Sequence, residues 1–594
     1  MGQLTGPCDD PVKSGYHSGS REEGKAVKRK KSLILASSLA ALSLGACSTV
    51  GTIRTSTKTA PQNSLAGTYL AANFAAAEGD VKAATGFYAD SLRVDPGNAD
   101  LLERTFLFSA EAGDIDQAIG LANRVLTLDQ DSRPAHLLLE VGALVKKDYA
   151  TVIKDTAQPA NGLFAILTDR IMEAWARAGA RDFDGALTTL DSLSTQRGVD
   201  GLRLMHKALI LDFAGREKEA DEAYRQAIAV TGTGPRAADA YGRFLLRHGH
   251  ADEAKAVYEG ALKDNPGNPI AQWGLRDVAA KKTPAPLVGS PAEGVAEGLF
   301  GISASLNDPR SADVAVLYLN LTLYLRPDFD LARVLLASRY EAMNRFDIAN
   351  TLYVGIQPNS PYYGMTQVQA AINEGRDGKT DTGIARLKAL AVSEPQEADV
   401  WTALGDLLRS ADQYKEATTA YDKAIAGIPA GDRRLTGLYY ARGVSLERSN
   451  RWDDAERDFR AALKLNPDRA DVLNYLGYSW VDKGENLQEA VAMLEKARAL
   501  RPLDGFIADS VGWAYYRLGR YADAARTLEE AVQLAPAAPD INDHLGDAYW
   551  RVGRKIDAKF QWQHALQLNP DAKDRALIER KLQFGLDAVS ASGS

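Results

Sequence analysis

The sequence has 594 residues, a quarter of them charged, and a net charge of −8. This acidic balance disfavours nucleic acid and anionic membrane surfaces as partners. The seven histidines are scattered. His248 and His250 have no third metal ligand nearby, so we expect them to be solvated turn residues and predict no metal site.

A basic block and an apolar run lie near the N-terminus. Residues 28–31 read Lys-Arg-Lys-Lys, and residues 33–46 are almost all apolar or small. The run is too short to span a bilayer as a permanent helix, but it has the length of a secretory signal. We therefore predict a prefix and signal peptide over residues 1–46, with translation starting at Val27.

The apolar run ends in Leu-Gly-Ala followed by Cys47, which resembles the lipobox of bacterial lipoproteins. The resemblance implies cleavage before Cys47 and a diacylglyceryl thioether and N-acyl chain on that cysteine, which together anchor stably. Because Ser48, and not an aspartate, follows Cys47, the resemblance points to anchoring in the outer membrane, facing the periplasm. The alternatives are a plain secretory signal and a buried helix with an incidental cysteine. Processing also removes Cys8, so no disulfide is available. Residues 47–64 would be the lipidated cysteine and a flexible Thr/Ser/Gly-rich tether.

From residue 65 onward a pattern recurs at steps of mostly 34 residues. Alanine is followed by a large aromatic residue or leucine, then by a second alanine and by proline, at offsets of four, three and five. Clear copies start at Ala254, Ala417, Ala455, Ala524 and Ala558. A period of this length is typical of a stack of supersecondary units.

Each unit contains two stretches with the apolar spacing of amphipathic helices, joined by a glycine turn such as Gly249 or Gly553. Glycine at position 8 and alanine at position 20 let the two helices approach closely, and proline at position 32 ends a helix. These residues resemble the tetratricopeptide repeat family. The resemblance implies an all-α fold, an α-solenoid superhelix of tetratricopeptide-type helix pairs stabilised by contacts between neighbouring units.

The repeat register breaks once, near residues 281–286, Lys-Lys-Thr-Pro-Ala-Pro. We therefore predict two halves of the solenoid, with a joint between them. The predicted domains are an N-terminal array over 65–283, the joint over 284–295, a C-terminal array over 296–570, and a cap helix and tail over 571–594. The repeat match is weak between residues 133 and 200.

The sequence carries no convincing catalytic motif. Residues 373–380 superficially resemble a phosphate-binding loop, but Asn373 stands where that loop requires glycine. Metalloprotease, nucleophile-elbow and dinucleotide fingerprints are absent from the sequence. Because the repeats extend almost to residue 594, we predict a protein that is not an enzyme and has no cofactor and no small-molecule substrate.

The predicted binding surface lies in the last three repeats. In the resembled family the first helix of each unit lines a concave groove, with positions 2, 5, 9, 12 and 13 pointing into it. Trp, Tyr and Arg are the usual binding anchors. The predicted protein-binding groove comprises Asn474, Tyr478, Asp509, Trp513, Tyr516, Arg517, Asp543, Asp547, Trp550 and Arg551. The alternative is that Trp513 and Trp550 pack against neighbouring helices. The acids disfavour a peptide carboxylate and favour an extended segment with basic and apolar residues.

The overall layout, and the stretch 543–565, resemble a group of Gram-negative outer-membrane lipoproteins built of these repeats. Some of them are adaptors for a periplasmic carboxy-terminal processing protease and its peptidoglycan-hydrolase substrates. The resemblance implies a non-catalytic scaffold that holds envelope proteins at the periplasmic face of the outer membrane. The alternative is an assembly or export component for outer-membrane proteins, pili or polysaccharide.

Overall fold

The computed structural model describes residues 64–157, 162–196, 198–232 and 234–587, and all regular structure in these ranges is helical. The predicted signal peptide, Cys47 and residues 588–594 lie outside the described residues. Two short 3₁₀ turns, Ser192–Thr195 and Pro309–Ser311, accompany the α-helices. The first fifteen α-helices are α1 (Leu65–Ala77), α2 (Val81–Val94), α3 (Ala99–Glu111), α4 (Ile115–Leu128), α5 (Arg133–Val145), α6 (Tyr149–Thr156), α7 (Leu163–Gly179), α8 (Phe183–Asp191), α9 (Asp200–Phe213), α10 (Glu217–Thr231), α11 (Pro235–Arg247), α12 (Ala251–Asp264), α13 (Pro269–Ala279), α14 (Pro291–Ser305) and α15 (Ala312–Leu325). The remaining helices are α16 (Asp330–Ala342), α17 (Phe346–Val354), α18 (Tyr363–Arg376), α19 (Thr380–Ser393), α20 (Ala398–Ser410), α21 (Tyr414–Ala426), α22 (Arg434–Arg448), α23 (Trp452–Leu465), α24 (Ala470–Lys483), α25 (Leu487–Leu500), α26 (Gly505–Arg517), α27 (Tyr521–Leu534), α28 (Pro539–Arg551), α29 (Lys555–Gln567) and α30 (Ala572–Phe584).

Consecutive helices from α1 to α12 and from α14 to α29 pack as pairs, and within each of these two runs each pair packs against the next. The prediction of an all-α solenoid of helix pairs is confirmed. The segment with the weak repeat match also forms two pairs, α5 with α6 and α7 with α8. Helix α13 is a single helix, and α30 follows the last pair as the predicted cap helix.

Small residues inside each pair have the predicted role. A Cβ on Gly405 would lie 2.5 Å from the Tyr421 ring, and one on Gly546 would lie 2.5 Å from the Trp562 ring. Ala417 and Ala558, at position 20 of their units, are fully buried. The bulky residue at position 24 therefore fills the space that glycine leaves open.

The predicted turn glycines adopt the left-handed conformation, with φ of +83° at Gly249 and +85° at Gly553. An L-residue with a side chain is strained there, whereas glycine ends a helix at little cost.

After α13 the chain returns to the first array. Helix α14 packs against α7 and α9, and α15 packs against α3 and α5, so both lie on the face formed by first helices of the N-terminal pairs. A Cβ on Gly294 would lie 2.2 Å from the Trp175 ring, and one on Gly298 would lie 2.5 Å from Ile171 Cγ2. The glycine face of α14 is thus seated directly on α7.

Polar contacts fix this arrangement. The Glu297 side chain on α14 is 4% exposed and pairs with Arg236 and Arg326. The Asn320 amide donates to the Glu111 carbonyl at 2.7 Å, and the Tyr318 hydroxyl lies 3.0 Å from Thr168 Oγ1. The sequence analysis did not foresee that α14 and α15 would occupy the inner face of the first array.

One hydrophobic core runs from Ala72 to Ala370. It passes through the predicted joint at 284–295 without a break, because α14 to α17 belong to the same packed unit. A separate core begins at Ala371. The boundary at 284–295 stays a prediction.

Candidate protein-binding face of the C-terminal array

Helices α24, α26 and α28 are the first helices of three successive repeats, and ten of their residues form the predicted groove. We call the surface they share the C-terminal inner face. These helices pack against their neighbours in the array. Within the described residues, no helix pair covers this face as α14 and α15 cover the first array.

Three aromatic rings stack at the centre of the C-terminal inner face. The Trp513 ring lies 4.7 Å from the Tyr516 ring at an interplanar angle of 6°. On its other side it lies 4.1 Å from the His544 ring at 17°. Trp513 and Tyr516 are half-buried. The stack therefore presents a rigid aromatic edge that a partner can contact at little entropic cost.

His544, which the sequence analysis did not include, is held by Asp509. The Nδ1 atom of His544 lies 2.9 and 3.1 Å from the two Asp509 oxygens. Burial disfavours the imidazolium, but the nearby Asp509 carboxylate outweighs burial and raises the pKa of His544 to about 9. His544 is therefore a cation at neutral pH and fixes the position of the stack.

The cap helix neutralises two predicted acids. Lys581 on α30 donates to Asp543 at 2.7 Å and to Asp547 at 2.8 Å. The other Asp547 oxygen accepts from the Trp562 indole at 3.0 Å. Both Asp547 oxygens are thus engaged within the chain, which makes Asp547 a buried link between α28, α29 and α30.

Two acceptor groups at this end remain open. Asp543 Oδ1 is buried without a hydrogen bond in the described chain. Asp540 forms no direct ion pair there, and burial raises its pKa to about 6 against the pull of nearby His544. These two carboxylates are where a cationic partner group would be favoured.

Trp550 and Arg551 contact the residues that follow α30. The Trp550 indole donates to Asp587 at 2.9 Å, and a Cβ on Gly585 would lie 2.6 Å from its ring. Arg551 donates to Asp587 at 2.8 Å and to the Tyr516 hydroxyl at 3.3 Å. The Trp550 ring therefore packs against the residues after α30, and whether it also contacts a partner stays a prediction.

The remaining predicted residues lie at the α24 side. Asn474 Oδ1 is buried and accepts no hydrogen bond in the described chain, so it can accept one from a partner. Burial, with Asp509 and Asp482 nearby, raises the pKa of Tyr478. Arg517 is exposed and donates to the Asp482 carbonyl at 3.3 Å. Whether these residues bind a partner stays a prediction.

The two motifs that the sequence disfavoured as metal or phosphate sites, the His248 and His250 pair and residues 373–380, lie at repeat turns. His248 faces Glu217 and His250 faces Glu253, each at 3.2 Å. Lys379 pairs with Asp377 at 2.6 Å beside Gly378, whose φ is +75°. Across the described ranges, no group of three or more histidines, cysteines or carboxylates is arranged to hold a metal. Nor does any helix in those ranges have the length and apolar character needed to cross a bilayer.

Family models match four segments of the chain. The model described as tetratricopeptide repeat matches residues 240–282, 368–432 and 440–505, and the model described as TPR repeat matches residues 512–553. These segments are tetratricopeptide repeats. They include all of α24 and α28 and part of α26, and so most of the C-terminal inner face.

Two curated proteins are similar to part of this chain. The TPR repeat-containing protein PA4667 of Pseudomonas aeruginosa is 32% identical over 150 residues, which cover 25% of each chain. The general transcriptional corepressor trfA of Dictyostelium discoideum is 33% identical over 73 residues, 12% of this chain and 5% of that protein. The aligned segments thus span a quarter or less of these relatives.

Two solved structures are also similar. A tetratricopeptide repeat protein from Parabacteroides merdae aligns with 43% of this chain and 98% of its own, at 13% identity and a TM-score of 0.36. The APC/C hetero-tetramer Cut9–Hcn1 aligns over 87% of this chain and 96% of its own, at 15% identity and a TM-score of 0.36.

Proposed function

We propose that the protein is a non-catalytic scaffold that binds an extended segment of a partner protein on the C-terminal inner face. The observation that carries this proposal is the Tyr516–Trp513–His544 stack, which is partly exposed on a face that no helix pair of the described chain covers. Anchoring by an acylated Cys47 at the periplasmic face of the outer membrane completes the proposal. The partners would be envelope proteins, namely a carboxy-terminal processing protease and its cell-wall hydrolase substrates.

The chemistry of the face selects the bound segment. An apolar side chain can pack on the edge of the aromatic stack, and a lysine or arginine can pair with Asp540 and the open oxygen of Asp543. The buried Asn474 Oδ1 can accept a backbone N–H, which removes an unsatisfied buried acceptor. A segment that combines basic and apolar residues therefore fits this surface.

The adaptor role follows from tethering. A scaffold that holds a partner on a membrane raises the effective concentration of that partner for other bound proteins, without making new contacts to them. Repeats make up most of the length of the chain, which favours a protein that binds partners over one that catalyses a reaction.

The test is capture of the lipidated chain from its own membranes, comparing wild type with the double variant Trp513→Ala, Tyr516→Ala. We expect the variant to lose at least one partner identified by mass spectrometry while its helical circular dichroism is unchanged. Trp401→Ala is the matched control, since Trp401 is a half-buried indole on first helix α20 whose N–H donates to Pro395. Equal capture by all three proteins would contradict the binding face.

The identity of the captured proteins tests the adaptor proposal. A soluble protease and its hydrolase substrates would support it, whereas an integral outer-membrane barrel or a synthase would favour an assembly or export role. The membrane anchor is tested separately: Cys47→Ala should move the protein from the membrane fraction to the soluble periplasmic fraction. A variant that stays in the membrane fraction would contradict lipid anchoring.

A further inference from the structure

The second helix of every repeat in the two arrays has two outward positions that can be compared along the chain. Counted from the first helical residue, positions 2 and 6 are exposed in α2, α4, α6, α8, α10, α12, α17, α19, α21, α23, α25, α27 and α29. In all of these helices except α29, they hold charged, polar, glycine or alanine residues. Representative pairs are Asp381 with Ala385, Asp453 with Arg457, and Ala522 with Arg526.

Helix α29 departs from this pattern. Its two outward positions are Ile556 and Phe560, which are 85% and 65% exposed. The residues lie one turn apart, so their side chains share one face of the helix. The remaining repeats act as internal controls: the fold does not require large apolar side chains at these positions, and in α29 they pack against little else in the described chain. We call Ile556 and Phe560 the outer apolar pair.

The surroundings of the outer apolar pair are basic. Lys555 and Lys559 are exposed, and Lys559 lies on the same face of α29, three residues after Ile556. Within the described residues, Lys559 forms no ion pair, while the Lys555 ammonium lies 4.9 Å from the Trp550 ring. An apolar ridge with an unneutralised lysine beside it is complementary to an apolar stripe flanked by carboxylates.

We propose that the outer apolar pair is a docking site for an amphipathic helix of a partner protein that carries acidic residues beside its apolar stripe. Two helices interlock through apolar side chains that are spaced four residues apart. The site lies on α29, away from the aromatic stack, and does not depend on the proposed function. If the C-terminal inner face also binds, the chain holds two partners at once.

Two other occupants fit less well. In a symmetric dimer the same patch meets itself, which would bring Lys559 of each copy close together. An anionic lipid surface is disfavoured by the acidic balance of the chain, whose net charge is −8. A single helix of a protein partner meets neither obstacle.

The first experiment places a photo-cross-linking benzoylphenylalanine at Phe560 in the full-length chain in cells, with Arg526 as the control position one repeat earlier. We expect an adduct at position 560 that is absent at 526. The cross-linked segment, mapped by mass spectrometry, should show apolar residues at helical spacing with Asp or Glu beside them. An adduct with a second copy, with lipid, or with a segment lacking this pattern would overturn the proposal, as would equal adducts at both positions.

The second experiment uses a labelled synthetic peptide of the cross-linked segment and fluorescence anisotropy. The variant Ile556→Ala, Phe560→Arg gives α29 the pair found in α27 and should weaken binding at least tenfold, with an unchanged circular dichroism melt. Arg526→Ala should bind as wild type does. Equal affinity for all three proteins would overturn the proposal. Because Trp513 and Tyr516 are intact in these variants, their result is distinguishable from failure of the proposed inner-face function.

Discussion

The two arrays use the same repeat, but different groups lie against their first helices. In the N-terminal array, α14 and α15 occupy the inner face, and the histidine there, His206, is fully buried with its Nδ1 accepting from the Trp175 indole at 3.0 Å. In the C-terminal array, His544 lies beside Asp509 on an inner face that no helix pair of the described chain covers. In the first array the inner face is part of a larger core, whereas in the second a charged, aromatic face has no such helix pair packed on it.

The ion pairs differ in the same way. Glu297 is buried between two arginines of the N-terminal unit, whereas the pair of Arg498 with Glu530, between two C-terminal repeats, is exposed. A buried pair costs much to break because a charge is left unpaired, whereas an exposed pair costs little. Substitutions of matched type in the two arrays therefore test the comparison.

The largest effect is expected for Glu297→Ala. The change leaves the Arg236 and Arg326 guanidinium groups facing each other without their shared carboxylate, and breaking such a pair costs about 3–5 kcal/mol. The measurement is hydrogen exchange read peptide by peptide. Faster exchange should appear in α14 and α15 and in the helices beneath them. Uniform exchange across both arrays would contradict the distinction between them.

Acid should weaken the N-terminal unit through His206. Burial lowers the pKa of His206 to about 4 from an ordinary value near 6.5. The unfolded chain therefore binds the extra proton first, so stability is lost as the pH falls from about 6.5 through 4. The loss is at most about 3 kcal/mol. It appears as lower protection factors in α7, α9 and α14 at pH 4.5 than at pH 6.5, once the rates are corrected for the slower intrinsic amide exchange in acid. In a His206→Gln variant this part of the acid effect should be absent. An identical acid response in the variant and the wild type would refute the role of His206.

Alkali should weaken the C-terminal face through His544. Because Asp509 raises the pKa of His544 to about 9 despite burial, the folded state holds the proton more tightly than the unfolded chain. The stabilisation is complete below about pH 6.5 and is lost as the pH rises through 9, again by at most about 3 kcal/mol. A histidine carbon NMR titration should place His544 near 9, and Asp509→Asn should bring it down sharply. A His544 that titrates near 6.5 would rule out the Asp509 contact.

A smaller effect is expected for Gly294→Leu. The new side chain would meet the Trp175 ring, and overpacking of this kind costs about 1–3 kcal/mol. Gly86→Leu is the matched control, since a Cβ on this helical glycine has no neighbour within 4 Å. A lower melting temperature for the first variant only would confirm that α14 is seated on α7. Equal melting temperatures would contradict close packing there.

These contrasts also show what the sequence could predict. The helix pairs, turn glycines and cap helix follow from residues within one repeat, such as Gly546 and Trp562, which sit together because both are set by local spacing. The docking of Gly294 on Trp175 joins residues far apart in the chain, and no local period encodes it. The sequence signal for this docking is an apolar helix with glycines four and three residues apart, at Gly294, Gly298 and Gly301.

The candidate site shows the same limit. The stack of Trp513 and Tyr516 follows from their spacing on one helix. The contacts of Trp550 with Asp587 and of Asp547 with Lys581 do not follow from spacing. Lys581 lies on the cap helix and Asp587 lies beyond it, so both are outside any repeat. Position-by-position transfer therefore predicts which residues share a helix face inside the array, but not the contacts made at its end, where a terminal helix replaces the next repeat.

The smallest effect is expected for Glu530→Ala, the exposed counterpart of Glu297→Ala. Glu530 pairs with Arg498 of the preceding repeat, and their side chains are 49% and 31% exposed. Solvent screens such a pair, so its loss should cost about 0–1 kcal/mol and should diminish further at high salt. Urea unfolding at low and at 0.5 M salt measures both. A loss as large as that of Glu297→Ala would show that contacts between C-terminal repeats are as strongly coupled as the filled N-terminal unit, and the contrast between the arrays would then have to rest on their inner faces alone.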